Sequence, residues 1–308
     1  MSFERIRRMM TARKDSNQDE KILNSQLAEN PQGDLPLLYR GLTCCLQGGM
    51  GNQMFQYAMA RSFSKKLGCP LYLNINRFNE CNMRQYSLGL WRGVNETFTI
   101  NEPNRIIERG LPYNPQLTNL IGRGTSLIGY WQTEKYFKDI KDDLQEIFMP
   151  KQPMTETGLD TLRKIQQAGD RSVFLTIRRT DYVNSDFHNV LSKEYYETAL
   201  SIIAKEVGDP VIFVFSDEPE WCKDNMDWGY EMNVAGNYDM TTKTHLGRED
   251  EELFLMMNCK HAVLANSSYS WWGAWLGRDP GLRIAPKKWF GSENADPRDI
   301  VPENWIRI

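Results

Sequence analysis

Leu42–Thr43–Cys44–Cys45–Leu46–Gln47–Gly48–Gly49–Met50–Gly51–Asn52 is the stretch whose reading decides the fold. Residues 42–46 form an apolar run of the length of a buried strand, and Gly48, Gly49 and Gly51 then allow a tight turn. Beyond the turn, Phe55, Met59, Phe63 and Leu67 recur every fourth residue, which lines them up on one face of a helix. Lys65 and Lys66 sit in its last turn, and Gly68 and Pro70 stop it. Residues 71–75 read as the next strand. Strand, glycine turn, helix, strand is a βαβ unit.

Downstream, 122–125 reads as a turn, 127–131 as a strand and 136–148 as a helix closed by Pro150. Residues 150–155, with Pro150 and Pro153, read as a hinge. A second α/β series follows: strand 172–177, helix 193–207 stopped by Gly208–Asp209–Pro210, strand 211–215 and helix 219–225. Helix 250–258, strand 262–265 and helix 269–276 complete it. Alternation in both halves predicts two packed three-layer domains with largely parallel sheets. The expected boundaries are a polar extension at 1–38, a first domain at 39–152 and a second at 153–308.

The 308 residues leave room for about two such domains. With 37 Lys+Arg against 40 Asp+Glu, a net charge of −3 and 41% apolar residues, the chain reads as a soluble globular protein. That balance argues against a broad nucleic-acid or anionic-membrane surface. No apolar stretch approaches the roughly 18 residues of a membrane span, although peripheral membrane association stays open. The first forty residues lack a signal peptide's apolar core, so a cytoplasmic chain is the simpler reading. Six cysteines without CxxC spacing and three histidines without HExxH or HxH spacing argue against a disulfide framework or a zinc site. No Asp-x-Asp pair is present to clamp a metal–diphosphate, so no metal and no cofactor is expected.

Three places carry candidate chemistry. Gly49, Gly51 and Asn52 stand at a helix N-terminus, whose unpaired N–H groups suit an anion or a sugar hydroxyl; a plain turn with Asn52 as cap is the alternative. Thr176–Ile177–Arg178–Arg179–Thr180–Asp181 leaves the carboxyl end of a buried strand, where ligands bind in open α/β sheets. A guanidinium fork suits phosphate, and one arginine of the pair is expected to face it while the other pairs with a carboxylate such as Asp181. Ser216 and Asp217 end a strand, placed to cap a helix or to bind a base or ribose. Asn266–Ser267–Ser268, between strand and helix, again offers amides and hydroxyls suited to a diphosphate. Trp271, Trp272 and Trp275 read as core or interdomain packing, and His261 as a structural histidine.

The run from Gly48 to Ala58, GGMGNQMFQYA, resembles the amino-terminal signature of the α-1,2-fucosyltransferases, glycosyltransferase family 11. Arg178–Arg179–Thr180–Asp181–Tyr182 resembles that family's His-x-Arg-Arg-Gly-Asp-Tyr motif, with Thr176 at the histidine and Thr180 at the glycine. Residues 252–275 resemble its third block, with Glu252 where the family usually has Asp. The resemblance implies an α/β fold of the GT-B type, two Rossmann-like domains facing a cleft, the second binding GDP-fucose and the first the acceptor. It implies inverting, metal-independent transfer of L-fucose to the 2-hydroxyl of a terminal galactoside in an oligosaccharide or surface polysaccharide. Arg178 would hold the diphosphate, Asn52 would face donor and acceptor, and Thr176, Asp217, Glu252, Asn266, Ser267 and Ser268 would line the donor side. By the spacing in α-1,6-fucosyltransferases the general base would be Asp186, with Asp181 second. Two alternatives stand beside this reading: a non-catalytic sugar-nucleotide or glycan binder, and a fucosyltransferase of other linkage or one using another GDP-sugar.

Overall fold

The structure, a computed structural model, describes residues 40–79, 84–180, 190–235, 238–239, 244–245, 247–291 and 295–308. Strand β1 (Leu42–Cys45) is buried along its whole length. Helix α1 (Met50–Leu67) starts after the extended Gly49 and ends at Gly68, whose φ of 57° and amide bond to the Lys65 carbonyl close the helix as its sequence predicts. Both glutamines buried on α1 are satisfied. The Gln53 amide donates to the Gly48 and Gln85 carbonyls, while Gln56 exchanges bonds with the backbone of Gln47.

With β2 (Leu71–Asn74), β3 (Arg105–Ile107), a short α2 (Leu117–Leu120) and β4 (Thr125–Ile128), the first half builds a parallel sheet of order β2-β1-β4-β3. Its strand order reverses between β1 and β4. The expected strand over 127–131 ends earlier, at Ile128, because the chain turns at Gly129. The expected helix over 136–148 is a pair of 3-10 turns followed by α3 (Lys141–Ile147). Phe137 breaks the run: its backbone (φ −143°, ψ 5°) is not helical, and its ring stacks at 5.4 Å and 18° on Trp272.

Helix α4 (Glu156–Ala168), which the sequence reading passed over, is capped by the Thr155 hydroxyl, which accepts from the Gly158 amide. The hinge segment before it is clasped. Thr155 donates its amide and its hydroxyl to Glu251, and Arg248 donates to the Pro153 carbonyl.

Strands β5 (Ser172–Ile177), β6 (Val211–Ser216) and β7 (Met232–Ala235) enter the second sheet with α5 (Lys193–Val207) and α6 (Pro219–Asn225) between them. A two-residue hairpin, β8 (Tyr238–Asp239) and β9 (Thr244–His245), leads to α7 (Glu249–Met257), β10 (His261–Val263) and α8 (Ser268–Trp275). Strands β11 (Arg283–Ala285) and β12 (Ile306–Arg307) end the chain. The order is β12-β11-β10-β5-β6-β7, all parallel, with its reversal between β5 and β10. Strands β3, β7, β11 and β12 are too short to show a hydrophobic period.

One hydrophobic cluster runs through both halves. Helix α8 carries it across: Trp271 and Trp272 lie 4.5 and 5.0 Å from the Phe55 ring of α1, and Trp272 packs edge-on to Phe148. The tryptophans are core, as their sequence setting predicts. His261 is structural as well. Its Nδ1 accepts from the Leu282 amide, and its Nε2 pairs with the Asp170 carbonyl. Among the described residues, no helix is long and apolar enough to cross a membrane.

Candidate active site

In an open parallel sheet, ligands sit outside the carboxyl ends of the strands where the strand order reverses. Each sheet has one such point, and the two face each other. Between them lies a cleft of about 870 Å³. Met50, Asn52, Tyr130 and Gln132 line it from the first sheet, and Thr176, Arg178, Asp217, Asn266, Ser267 and Ser268 from the second.

Two helix N-termini meet at its floor. A Cβ on Gly51 would stand 2.5 Å from the carbonyl carbon of Ser268 and from the Tyr269 nitrogen, so only glycine lets the first turns of α1 and α8 touch. The Trp272 indole N–H donates to the Gly51 carbonyl at 3.0 Å and locks the approach. Gly51 is therefore the residue at which the two helices pack. Gly49 is the extended residue before α1, and the cleft lining passes from Met50 to Asn52 without either glycine. Each helix end carries a partial positive charge and unbonded amides. At α8, however, the Ser267 amide is already bonded to the Ala265 carbonyl, and the Ser267 hydroxyl accepts from the Tyr269 amide. Ser267 thus shapes the turn, Ser268 is the first helical residue, and both line the cleft.

Arg178 leaves the end of β5 and lines the cleft, its Nε 3.1 Å from a carboxylate oxygen of Asp217. Asp217, only 5% exposed at its side chain, also accepts from the Arg179 amide and from the amide and hydroxyl of Thr180. That carboxylate organises the whole Arg178–Thr180 turn. Arg179 turns away, as the alternation of side chains predicts. It pairs with the carboxylate of Glu218 at 2.7 Å, and its guanidinium lies 3.7 Å over the Trp221 ring.

Thr176 lines the cleft, but its hydroxyl accepts from the Ala265 amide at 2.7 Å and ties β5 to the end of β10. Its oxygen is thus engaged by the protein, and its O–H is what remains for a ligand. Asn266 lines the cleft while donating to the Trp289 carbonyl, and Glu252 lines it from α7. Asn52 accepts from the Gln132 amide at 2.7 Å, a bond between the two strand-end turns of the first sheet. Asp181 and Asp186 lie outside the described residues.

Sequence reasoning missed Arg84, Leu111, Tyr130, Gln132, Trp289 and Phe290, all of which line the cleft. Tyr130 and Gln132 follow Gly129 at the carboxyl end of β4, so a glycine inside an apparent strand was the available signal. Among the described residues no three His, Cys, Asp or Glu side chains gather as a metal-binding group.

Comparison with known proteins finds relatives of this chain. The family model "Glycosyl transferase family 11" matches residues 123–308. The alpha-1,2-colitosyltransferase of Escherichia coli is 31% identical over 85% of this chain and 97% of its own length. The O-antigen biosynthesis glycosyltransferase WbnK of Escherichia coli is 28% identical over 86% and 99%. Galactoside alpha-(1,2)-fucosyltransferase 2 of Sus scrofa is 23% identical over 77% and 70%. Among solved structures, the alpha-1,6-fucosyltransferase NodZ soaked with GDP-fucose superposes with a TM-score of 0.46 at 10% identity, over 77% of this chain and 92% of that one. The chain belongs to glycosyltransferase family 11, and its two facing parallel sheets have the GT-B arrangement.

Proposed function

We propose that the protein is an inverting, metal-independent glycosyltransferase that moves L-fucose from GDP-fucose to the 2-hydroxyl of a terminal galactoside in an oligosaccharide or surface polysaccharide. Residues 39–152 would carry the acceptor side and 153–308 the donor side, in a protein that works in the cytoplasm. The observation that carries this reading is the convergence of the α1 and α8 N-termini at Gly51 and Ser268, with Arg178 lining the same cleft. Two helix ends and a guanidinium make a preorganised positive site for a diphosphate.

In the transfer, the bond between sugar C1 and the β-phosphate oxygen breaks as the acceptor oxygen bonds to C1 from the opposite face. Negative charge gathers on the departing GDP, where Arg178 and the Ser268 end of α8 stabilise it without reorganising. Asp217 keeps Arg178 aimed, and so serves catalysis indirectly. The acceptor hydroxyl's proton passes to a general base, which the family resemblance assigns to Asp186, with Asp181 second.

A second reading concerns the sugar alone. The relative at 31% identity is a colitosyltransferase, which favours testing other GDP-sugars beside GDP-fucose. The experiment is a panel of galactoside acceptors with each GDP-sugar, with and without chelator, the product linkage read by NMR. An α-1,2-fucosylated product formed in EDTA supports the reading. GDP-fucose binding without turnover would make the protein a sugar-nucleotide binder instead.

A further inference from the structure

The first-sheet side of the cleft is shaped by a carboxylate that does not line it. Glu108 stands just beyond β3, and its amide donates to the Ile128 carbonyl at 2.8 Å. Its side chain accepts two consecutive amides of the turn after β4, Tyr130 at 2.6 Å and Trp131 at 3.0 Å. Trp131 has a φ of 55°, a conformation that a bulky residue keeps only where its surroundings hold it there. They do so from both sides: the indole is buried edge-on to Tyr136, and the Trp131 carbonyl accepts from the Thr133 amide at 2.8 Å. Gly129 completes the device, because a Cβ there would collide with the Glu108 side chain.

This turn delivers two side chains to the cleft. Tyr130 is 38% exposed and lines the cleft. Gln132 spends one amide hydrogen on Asn52, which leaves its carbonyl oxygen and a second N–H. An exposed ring beside a partly committed amide is the chemistry that recognises a pyranose: C–H groups lie on the aromatic face and hydroxyls bond to the amide. We infer that Tyr130 and Gln132 form the pyranose subsite for the acceptor sugar, and that Glu108 is the residue that positions it. This rests on the glycosyl-transfer reading of the cleft. A carboxylate is required because both of its oxygens accept; a glutamine would turn an NH₂ toward one amide and lose that bond.

Steady-state kinetics on Tyr130→Ala, Gln132→Ala and Glu108→Gln, with donor and acceptor varied separately, tests this alongside GDP binding by calorimetry. Tyr130→Ala and Gln132→Ala should each raise the acceptor KM about tenfold, the scale of one lost contact. Glu108→Gln should raise it severalfold, while the donor KM and the GDP Kd stay within about twofold. A merely structural lesion at Glu108 would instead lower kcat through the active fraction and leave both KM values in place. Wild-type turnover with the acceptor KM unchanged in the first two variants, or with donor and acceptor KM rising together, overturns the subsite. An unchanged acceptor KM in Glu108→Gln overturns the positioning role. A wild-type protein that transfers no sugar from any GDP-sugar overturns the functional reading itself, and the subsite with it.

Discussion

Gly51 and Ser268 stand backbone against backbone, 217 positions apart in the chain, so that a single methyl group at Gly51 has no room. The contact brings two positive helix ends to one point, which their dipoles alone would oppose. Trp272 bonding to the Gly51 carbonyl, and the aromatic cluster beneath, hold them together. Gly51→Ala should therefore lower stability by about 1–3 kcal/mol through overpacking, and should weaken GDP binding by prising the helix ends apart. Thermal melts and calorimetry on the same sample read both; a variant with wild-type melting and wild-type GDP affinity would show that the close approach is unnecessary.

Asp217 collects the Arg178 guanidinium and three donors from residues 179–180, so its loss should cost more than one ion pair. Asp217→Ala should reduce kcat/KM for the donor about a hundredfold, since a misaimed guanidinium gives up transition-state stabilisation of a few kcal/mol. Glu218→Ala, which releases only Arg179 on the outer side of the turn, should cost less than about tenfold. Equal losses in the two variants would mean that the pair acts as an undivided basic patch.

Trp272 packs against Phe55, Phe137 and Phe148 and donates its indole N–H across the two halves. Trp272→Ala should destabilise by about 3–5 kcal/mol, and Trp272→Phe by about 1–2 kcal/mol, chiefly the lost bond. Chemical denaturation checks both. If Trp272→Phe were as damaging as Trp272→Ala, ring volume would not be what matters there.

Burial holds the His261 imidazole below its ordinary pKa of 6.5, and Arg283 and Lys260 push the same way against the bond to the Asp170 carbonyl. The folded state thus binds the proton less readily than the unfolded state does. Its contribution to stability is whole above about pH 6.5 and is lost as pH falls below that value, where protonation would also remove the Nδ1 acceptor from the Leu282 amide. The melting temperature of the wild type should fall more steeply from pH 7 to pH 5 than that of His261→Gln. Parallel curves would remove His261 from the acid response.

The sequence announced the elements with a strong period or an obvious stop. Helix α1 showed its four-residue repeat and its Lys65–Lys66–Leu67–Gly68 ending, and β5 its unbroken apolar run, so the glycine turn and the arginine turn were both placed at strand ends. Tertiary packing hid the rest. Phe137 leaves helical geometry to stack on a tryptophan 135 positions away, and a strand of three residues such as β3 has no period to read. Within the site, residue types were legible and partners were not. The ion pair by which Asp217 anchors Arg178 and the contact of Gly51 with Ser268 both join residues far apart in the chain. Gln132 carries no motif of its own and is defined by its bond to Asn52.

Isothermal titration of GDP into the full chain in EDTA, with Arg178→Ala alongside, tests the central claim most directly. The account predicts that the wild type binds GDP as tightly with chelator as without it, and that Arg178→Ala binds at least about tenfold more weakly while melting at the same temperature. Binding that vanishes in EDTA and returns with a divalent cation, or an Arg178→Ala variant with wild-type affinity, would contradict it.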